Sequence, residues 1–191
     1  TAFLDLKRRH DLQVDDVAEV WVGTNRHMPN ALIHHRPQDH LAAKFSMEFC
    51  IAILLLRDRA GLAEFTDDVV RDPDVQNAIQ KVRFEVDPEA DGAGYNTMTS
   101  IIRVRLSNGD VLEDSAAFAK GSPSNPMSED ELREKFLGCL EARGIDPDAG
   151  NEAADLILNI EDQPDLRAIT RLLSHAGGEW DASVAAAAAS I

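Results

Sequence analysis

A lysine and a serine two positions apart, Lys44 and Ser46, lie just before the most apolar segment of the chain. That segment, from Cys50 to Leu56, predicts a buried helix, so both residues are expected near its amino-terminal end. Unpaired N–H groups and a partial positive charge at a helix N-terminus favour a bound anion. The spacing therefore suggests a carboxylate site, with Lys44 as the cation and Ser46 as a hydrogen-bond donor. A solvated lysine beside a serine that only caps the helix explains the same residues.

The loop over residues 120–126, Lys-Gly-Ser-Pro-Ser-Asn-Pro, is a second candidate site. Gly121 permits a ligand to approach the backbone closely, and Asn125 offers hydrogen-bonding groups, so the loop can line a pocket. The GxxxxGK[ST] order of a phosphate-binding loop is absent. A plain turn between a strand and a helix is an equally simple reading of these residues.

Histidines are concentrated in one loop, within fourteen positions. They are His27, His34, His35 and His40. Neutral imidazoles at close spacing can bind zinc when a carboxylate such as Asp39 completes the set. The spacing matches no HExxH helix or zinc finger, so we predict solvated histidines and no metal site.

The elements that must position these residues begin with an amphipathic helix over residues 2–12 and a strand over 17–22. An irregular loop over 25–40 leads to the buried helix, which is predicted to begin at Leu41. Two short helices follow, capped by Thr66 and by Asp72. Alternating residues then predict three strands, over 82–87, 97–106 and 111–118, and Asn108-Gly109 joins the last two as a hairpin.

The carboxy-terminal third of the chain reads as helical. Ser128 and Glu131 form a capping box, and two further helices are predicted over 151–161 and 165–174. Because helices and strands do not alternate, the order predicts an α+β fold with a small antiparallel sheet packed by the buried helix. We predict an α+β domain over 1–127, helices over 128–175 and a low-complexity tail over 176–191.

Composition excludes several classes of partner. Asp and Glu outnumber Lys and Arg by 34 to 19, giving a net charge of -15, so nucleic acid and anionic membrane surfaces are not expected partners. No apolar run approaches the roughly 20 residues that span a bilayer. The two cysteines, Cys50 and Cys139, are expected to be reduced thiols in a cytoplasmic protein. The chain begins at Thr1 inside a predicted helix, so we expect preceding sequence to be missing.

Several segments, in register, resemble the MmgE/PrpD family. Residues 42–55, AAKFSMEFCIAILL, are similar to the family segment EAKFSLPYCVAVALL. The strand at 17–22, the segment 65–75 and the hairpin follow in the family order. Gly121-Ser-Pro-Ser-Asn-Pro, followed by Lys135-Phe136, resembles the family's G.p.nPls.eel..KF. The similarity runs from about residue 3 to residue 174.

The resemblance implies a cofactor-independent lyase or isomerase acting on a small di- or tricarboxylate. Family activities include 2-methylcitrate dehydratase, cis-aconitate decarboxylase and iminodisuccinate epimerase. The family fold places the active site between a large helical domain and a smaller α+β lid, and relatives commonly form homodimers. The helical domain supplies most acid–base residues, so the catalytic residues are expected upstream of Thr1. This chain is then a lid-bearing fragment that is inactive alone, with helices at 2–12 and 128–174 exposing apolar faces.

Within the matching segments, the resemblance favours Lys44, Ser46 and the loop from Gly121 through Asn125 as substrate-binding residues. Two positions depart from the family pattern. Ala42 replaces the family's Glu, and Phe49 replaces a Tyr that is a candidate proton donor in relatives. Because Phe has no ionisable proton, Phe49 favours the alternative that the chain is a non-catalytic binding or interaction module.

Overall fold

The computed structural model describes residues 1–94 and 97–174. The chain divides into two compact units, with the boundary between Met127 and Ser128. The first unit combines helices with one four-stranded sheet, which confirms the predicted α+β class. The predicted tail over 176–191 lies outside the described residues.

The sheet of the first unit has the strand order β2-β1-β3-β4. Its strands are β1 (Val17–Thr24), β2 (Val82–Val86), β3 (Ser100–Leu106) and β4 (Val111–Ala116). β1 pairs with β3, and β3 with β4, in antiparallel fashion as predicted, but β1 and β2 are parallel. The long helical connection between β1 and β2 explains the difference, because a crossover of that length returns the chain in its original direction.

Seven α-helices lie in the described part of the first unit. They are α1 (Ala2–Arg9), α2 (Met28–Ala31), α3 (His40–Ala43), α4 (Met47–Arg57), α5 (Asp67–Arg71), α6 (Pro73–Ile79) and α7 (Pro88–Gly92). Thr66 and Asp72 cap α5 and α6 as predicted. The buried helix predicted from Leu41 is instead split into α3 and α4, because Ser46 adopts an extended backbone and caps a new helix. Asp87 similarly caps α7, a short helix that the sequence analysis did not predict.

Helix α4 is buried against two apolar clusters. Ile51 and Leu55 join a cluster with strand residues such as Val20 and Val22, whereas Phe49 belongs to the cluster formed with α6. A helix enclosed on both sides needs apolar residues around most of its circumference, which is the pattern that predicted its burial. Because α4 is held in the core of the first unit, the α3–α4 junction is held in place as well.

The carboxy-terminal end of α4 is held by a buried lysine of α1. Nζ of Lys7 donates to the carbonyl of Leu55 at 2.7 Å and lies 2.7 Å from Oδ1 of Asp58. A cation beside the last carbonyls of a helix is favourable because those carbonyls are unpaired and the dipole is negative there. The amphipathic α1 buries Phe3 and Leu6 in the same core, so the apolar face predicted to be exposed at 2–12 is covered.

The second unit contains α8 (Glu129–Glu141), α9 (Pro147–Leu158) and α10 (Arg167–Ser174). The capping box of Ser128 and Glu131 is present as predicted. Several apolar side chains of this unit are exposed, among them Leu132, Leu158 and Ile160. Within residues 1–94 and 97–174, none of the helices is both long enough and apolar enough to cross a membrane.

Candidate functional site

The α3–α4 junction presents Lys44 to solvent. Lys44 is the residue that ends α3, two positions before the cap of α4, and its side chain is exposed. Among the described residues, its ammonium group has no ion-pair partner. An exposed lysine without an ion-pair partner is available to contact an external anion, as the carboxylate prediction requires.

Ser46 lies two positions after Lys44, in a different environment. Its Oγ accepts a hydrogen bond from the N–H of Phe49 at 3.1 Å, and the residue is fully buried. The contact is an N-cap, which satisfies one of the unpaired donors of α4. The predicted role of Ser46 as a donor to substrate stays a prediction, since the observed contact is structural.

A histidine and a glutamate meet beside this junction. Nδ1 of His35 lies 2.6 Å from Oε1 of Glu48, which is in the first turn of α4. The Glu48 side chain is 7% exposed and the His35 side chain 64% exposed. The second carboxylate oxygen, Oε2, is buried and has no hydrogen-bond partner in the described part of the chain. A buried carboxylate therefore supports an imidazole that faces solvent.

The chemistry of this pair follows from its hydrogen bond. When the Glu48 carboxylate is ionised it only accepts hydrogen bonds, and Nδ1 of His35 is then the donor. The other ring nitrogen, Nε2, is then directed away from Glu48. In the neutral ring, Nε2 carries the lone pair and can accept a proton. This is the arrangement in which a carboxylate orients a histidine for acid–base work.

One backbone hydrogen bond connects the segment of His35 to that of Lys44. The N–H of His34 donates to the carbonyl of Phe45 at 3.1 Å, which ties the loop to the α3–α4 junction. His35 and Lys44 are the chain neighbours of these two bonded residues, and both side chains are exposed. The two candidate groups therefore lie on segments that this bond joins.

Glu48 also limits what the amino terminus of α4 can bind. A carboxylate in the first turn is stabilised by the helix dipole, by about 0.3–1 kcal/mol. Glu48 therefore reduces the positive potential that the amino terminus of α4 would otherwise present to an external anion. Attraction of a second carboxylate then depends on side-chain cations, namely the exposed Lys44 and Arg36.

The loop containing Gly121 and Asn125 closes on itself. The N–H of Gly121 donates to the carbonyl of Asn125 at 2.8 Å, and Nδ2 of Asn125 donates to the carbonyl of Phe118 at 3.3 Å. Gly121 has φ +90°, a conformation that favours glycine, so the turn itself requires this residue. No hydrogen bond or ion pair described in the structure joins Gly121 or Asn125 to Lys44 or Ser46.

The remaining loop histidines have separate surroundings. Nδ1 of His40 lies 2.8 Å from Oδ1 of Asp67, whose pKa is lowered mainly by hydrogen bonds from His40. In residues 1–94 and 97–174, no three His, Cys, Asp or Glu side chains are grouped so as to hold a metal ion.

A shallow cleft of about 290 Å³ lies near the end of β1. It is lined by Asn25, Arg26, His27, Asp91 and Gly94. Nε of Arg26 donates to Oδ2 of Asp91 at 2.9 Å, and this hydrogen bond is the main reason that the pKa of Asp91 falls to about 2. Because the guanidinium is matched by a carboxylate, the cleft offers less net charge to an anionic ligand than Lys44 does.

Sequence reasoning did not identify Glu48 as part of a site. A signal was present, since Glu48 is an ionisable residue in the first turn of a largely apolar helix, and a buried charge requires a partner. The partner, His35, lay within the histidine-rich loop. Periodicity within one element cannot specify which of four nearby histidines completes the pair.

Phe49 has a structural role in this chain. Its side chain is fully buried, and its ring packs 5.2 Å, centroid to centroid, from that of Phe65. The substitution noted against the family pattern therefore lies in the apolar core rather than on the exposed surface that carries Lys44.

Comparison with known proteins identifies the family. The model of the MmgE/PrpD C-terminal domain matches residues 1–161. The chain is similar to cis-aconitate decarboxylase of Mus musculus, with 23% identity over 147 residues, which are 77% of this chain and 30% of that protein. The chain thus spans less than a third of the length of this curated relative. Since the family match covers most of its residues, the chain belongs to the MmgE/PrpD family and corresponds to its C-terminal domain.

Proposed function

We propose that this chain is the lid-bearing, substrate-binding part of a cofactor-independent lyase or isomerase that acts on a small di- or tricarboxylate. The observation that carries the proposal is the match of residues 1–161 to the MmgE/PrpD C-terminal domain. The similarity to a cis-aconitate decarboxylase supports a tricarboxylate as the substrate class. The chain alone does not complete the reaction, and the complete protein is a cytoplasmic homodimer; the free thiols of Cys50 and Cys139 are compatible with that location.

Lys44 binds a carboxylate group of the substrate in this proposal. Its support is the exposure of Lys44, the absence of an ion-pair partner among the described residues, and the backbone hydrogen bond that ties its segment to the loop of His35. Because both partners are charged, such a contact contributes about 1.5–3 kcal/mol to the free energy of binding. A local cation is also needed because the strongly acidic protein otherwise repels anions.

Binding can be tested on the chain itself. Citrate and cis-aconitate are titrated into ¹⁵N-labelled protein, and the Lys44→Gln variant is compared with Lys135→Gln. Lys135 is an exposed lysine of α8, so its substitution changes the net charge equally without altering the junction. We expect Lys44→Gln to weaken binding by about tenfold to a hundredfold, and Lys135→Gln to have little effect. Equal affinities in the two variants would remove Lys44 from the site.

Catalysis is tested on the complete natural polypeptide that contains this chain, beside the chain alone. Both are incubated with 2-methylcitrate, cis-aconitate and iminodisuccinate, and products and proton exchange are followed by NMR. Turnover by the complete polypeptide only is the expected result. Turnover by neither, with carboxylate binding retained, would instead identify the chain as a non-catalytic binding module.

A further inference from the structure

We propose that His35 is a catalytic residue of this domain, transferring a proton to or from the substrate through Nε2, and that Glu48 is its positioning residue. The inference rests on the proposed function, because it requires a carboxylate substrate held by Lys44. It adds a specific acid–base group on the lid, which neither the sequence motifs nor the matched family segments indicated.

The first support is the burial of Glu48. Its side chain is 7% exposed, and one of its two carboxylate oxygens has no hydrogen-bond partner in the described part of the chain. Burial of a carboxylate with an unsatisfied oxygen is costly, so a purely structural tie is better made by an amide or a hydroxyl. A carboxylate at this position has the specific property that it stabilises an imidazolium on His35.

The second support is the direction of the ring. Nδ1 of His35 is engaged at 2.6 Å by Oε1 of Glu48, whereas the ring as a whole is largely exposed. Nε2 is consequently the ring atom that can meet a ligand. The N–H of His34 donates to the carbonyl of Phe45, the residue after Lys44, so the segment of His35 is tied to that of Lys44.

A dehydration reaction shows how protons and electrons balance in the proposed chemistry. Nε2 takes a proton from the carbon next to a substrate carboxylate, and the electrons of the broken C–H bond form the new C=C bond. The C–O bond of the neighbouring hydroxyl breaks, and the departing oxygen takes the proton held by Nε2 of His35, so that water leaves and the imidazole is neutral again. Glu48 balances the positive charge that His35 carries in between. No electron acceptor or further reactant is needed.

The orientation of His35 can be measured without turnover. At about pH 9, long-range ¹H–¹⁵N NMR distinguishes the two neutral imidazole tautomers. We expect His35 to carry its proton on Nδ1 and to change towards the Nε2–H form in Glu48→Gln, whereas His34 is the same in both proteins. Addition of citrate should shift the His35 ring signals. An Nε2–H tautomer in the unaltered protein would overturn the inference.

Kinetics of the complete polypeptide test the catalytic role. We expect His35→Gln to lower kcat by about a hundred- to ten-thousand-fold with a much smaller change in KM, since general acid–base groups contribute that factor. Glu48→Gln should cause a smaller fall. His34→Gln is the control, because only the backbone N–H of His34 is bonded in the described structure. Unchanged kcat in His35→Gln overturns this inference alone, whereas no turnover by the unaltered protein overturns it together with the proposed function.

Discussion

A methyl group added at Gly23 would lie 2.5 Å from Cβ of Asp87, well inside van der Waals contact. Asp87 caps α7 and accepts a hydrogen bond from Nη1 of Arg103 at 2.8 Å, so it has little freedom to move. We expect Gly23→Ala to lower the free energy of unfolding by about 1–3 kcal/mol, the usual cost of overpacking. Urea titration followed by circular dichroism measures it. Gly138→Ala is the control, since a Cβ there meets nothing within 4 Å and alanine favours the interior of α8.

The contacts of Lys7 with the carboxy-terminal end of α4 give a second prediction. In Lys7→Met the apolar stem is preserved, but the carbonyl of Leu55 and the carboxylate of Asp58 lose their buried cation. We expect the free energy of unfolding to fall by about 1.5–3 kcal/mol, the range for hydrogen bonds to charged groups. Arg8→Met, at the exposed neighbouring position, should change stability by less than about 0.5 kcal/mol. Equal stability in the two variants would show that the contacts of Lys7 contribute nothing to the free energy of unfolding.

The two cysteines should differ in reactivity. Burial, with a smaller contribution from the charge of Glu48, raises the pKa of Cys50 to about 11, whereas Cys139 is exposed. At about pH 8 only about 0.1% of Cys50 is then the reactive thiolate. We expect iodoacetamide to alkylate Cys139 first, as read by peptide mass spectrometry. In denaturing urea the alkylation rates of the two cysteines should converge. Similar alkylation rates in the folded protein would contradict the protection of Cys50 by burial.

Acid should weaken the contact between Arg26 and Asp91. The hydrogen bonds from Arg26 hold the pKa of Asp91 at about 2, below its ordinary value of 3.8. A lowered folded-state pKa stabilises the protein above the ordinary value, and that stabilisation disappears as the pH falls from about 4 towards 2. Asp91→Asn should therefore be less stable than the unaltered protein at neutral pH, with the difference shrinking over this interval. Asp68→Asn, on an exposed side chain, should show no such convergence.

Features determined by neighbouring residues could be predicted from the sequence. Thr66, Asp72 and Ser128 cap the helices that follow them, because a capping side chain reaches only two or three residues along the chain. The hairpin between β3 and β4 was likewise predictable from Asn108-Gly109. Asp87 caps α7 in the same way. This helix was not predicted because it has only five residues and its polar composition resembles that of a loop.

Features determined by distant residues could not be predicted in this way. The parallel pairing of Val20 with Val82 depends on how the intervening helices pack, and no local pattern encodes strand direction. The contact of His35 with Glu48 joins residues thirteen positions apart across the break between α3 and α4. The exposure of Lys44 and the burial of Ser46 follow from that same break, which separates two residues that the sequence suggested as one site.

The parallel pairing of β1 and β2 also sets an order of assembly. The β3–β4 hairpin closes over a few residues and can form in microseconds, whereas the pairing of β2 with β1 closes a loop that contains the whole helical connection and is expected to be slower. Lys44, His35 and Glu48 all lie within that connection. We expect a ligand bound to these residues to stabilise the connection on which the β1–β2 pairing depends, so amide protons of β2 should exchange more slowly in its presence.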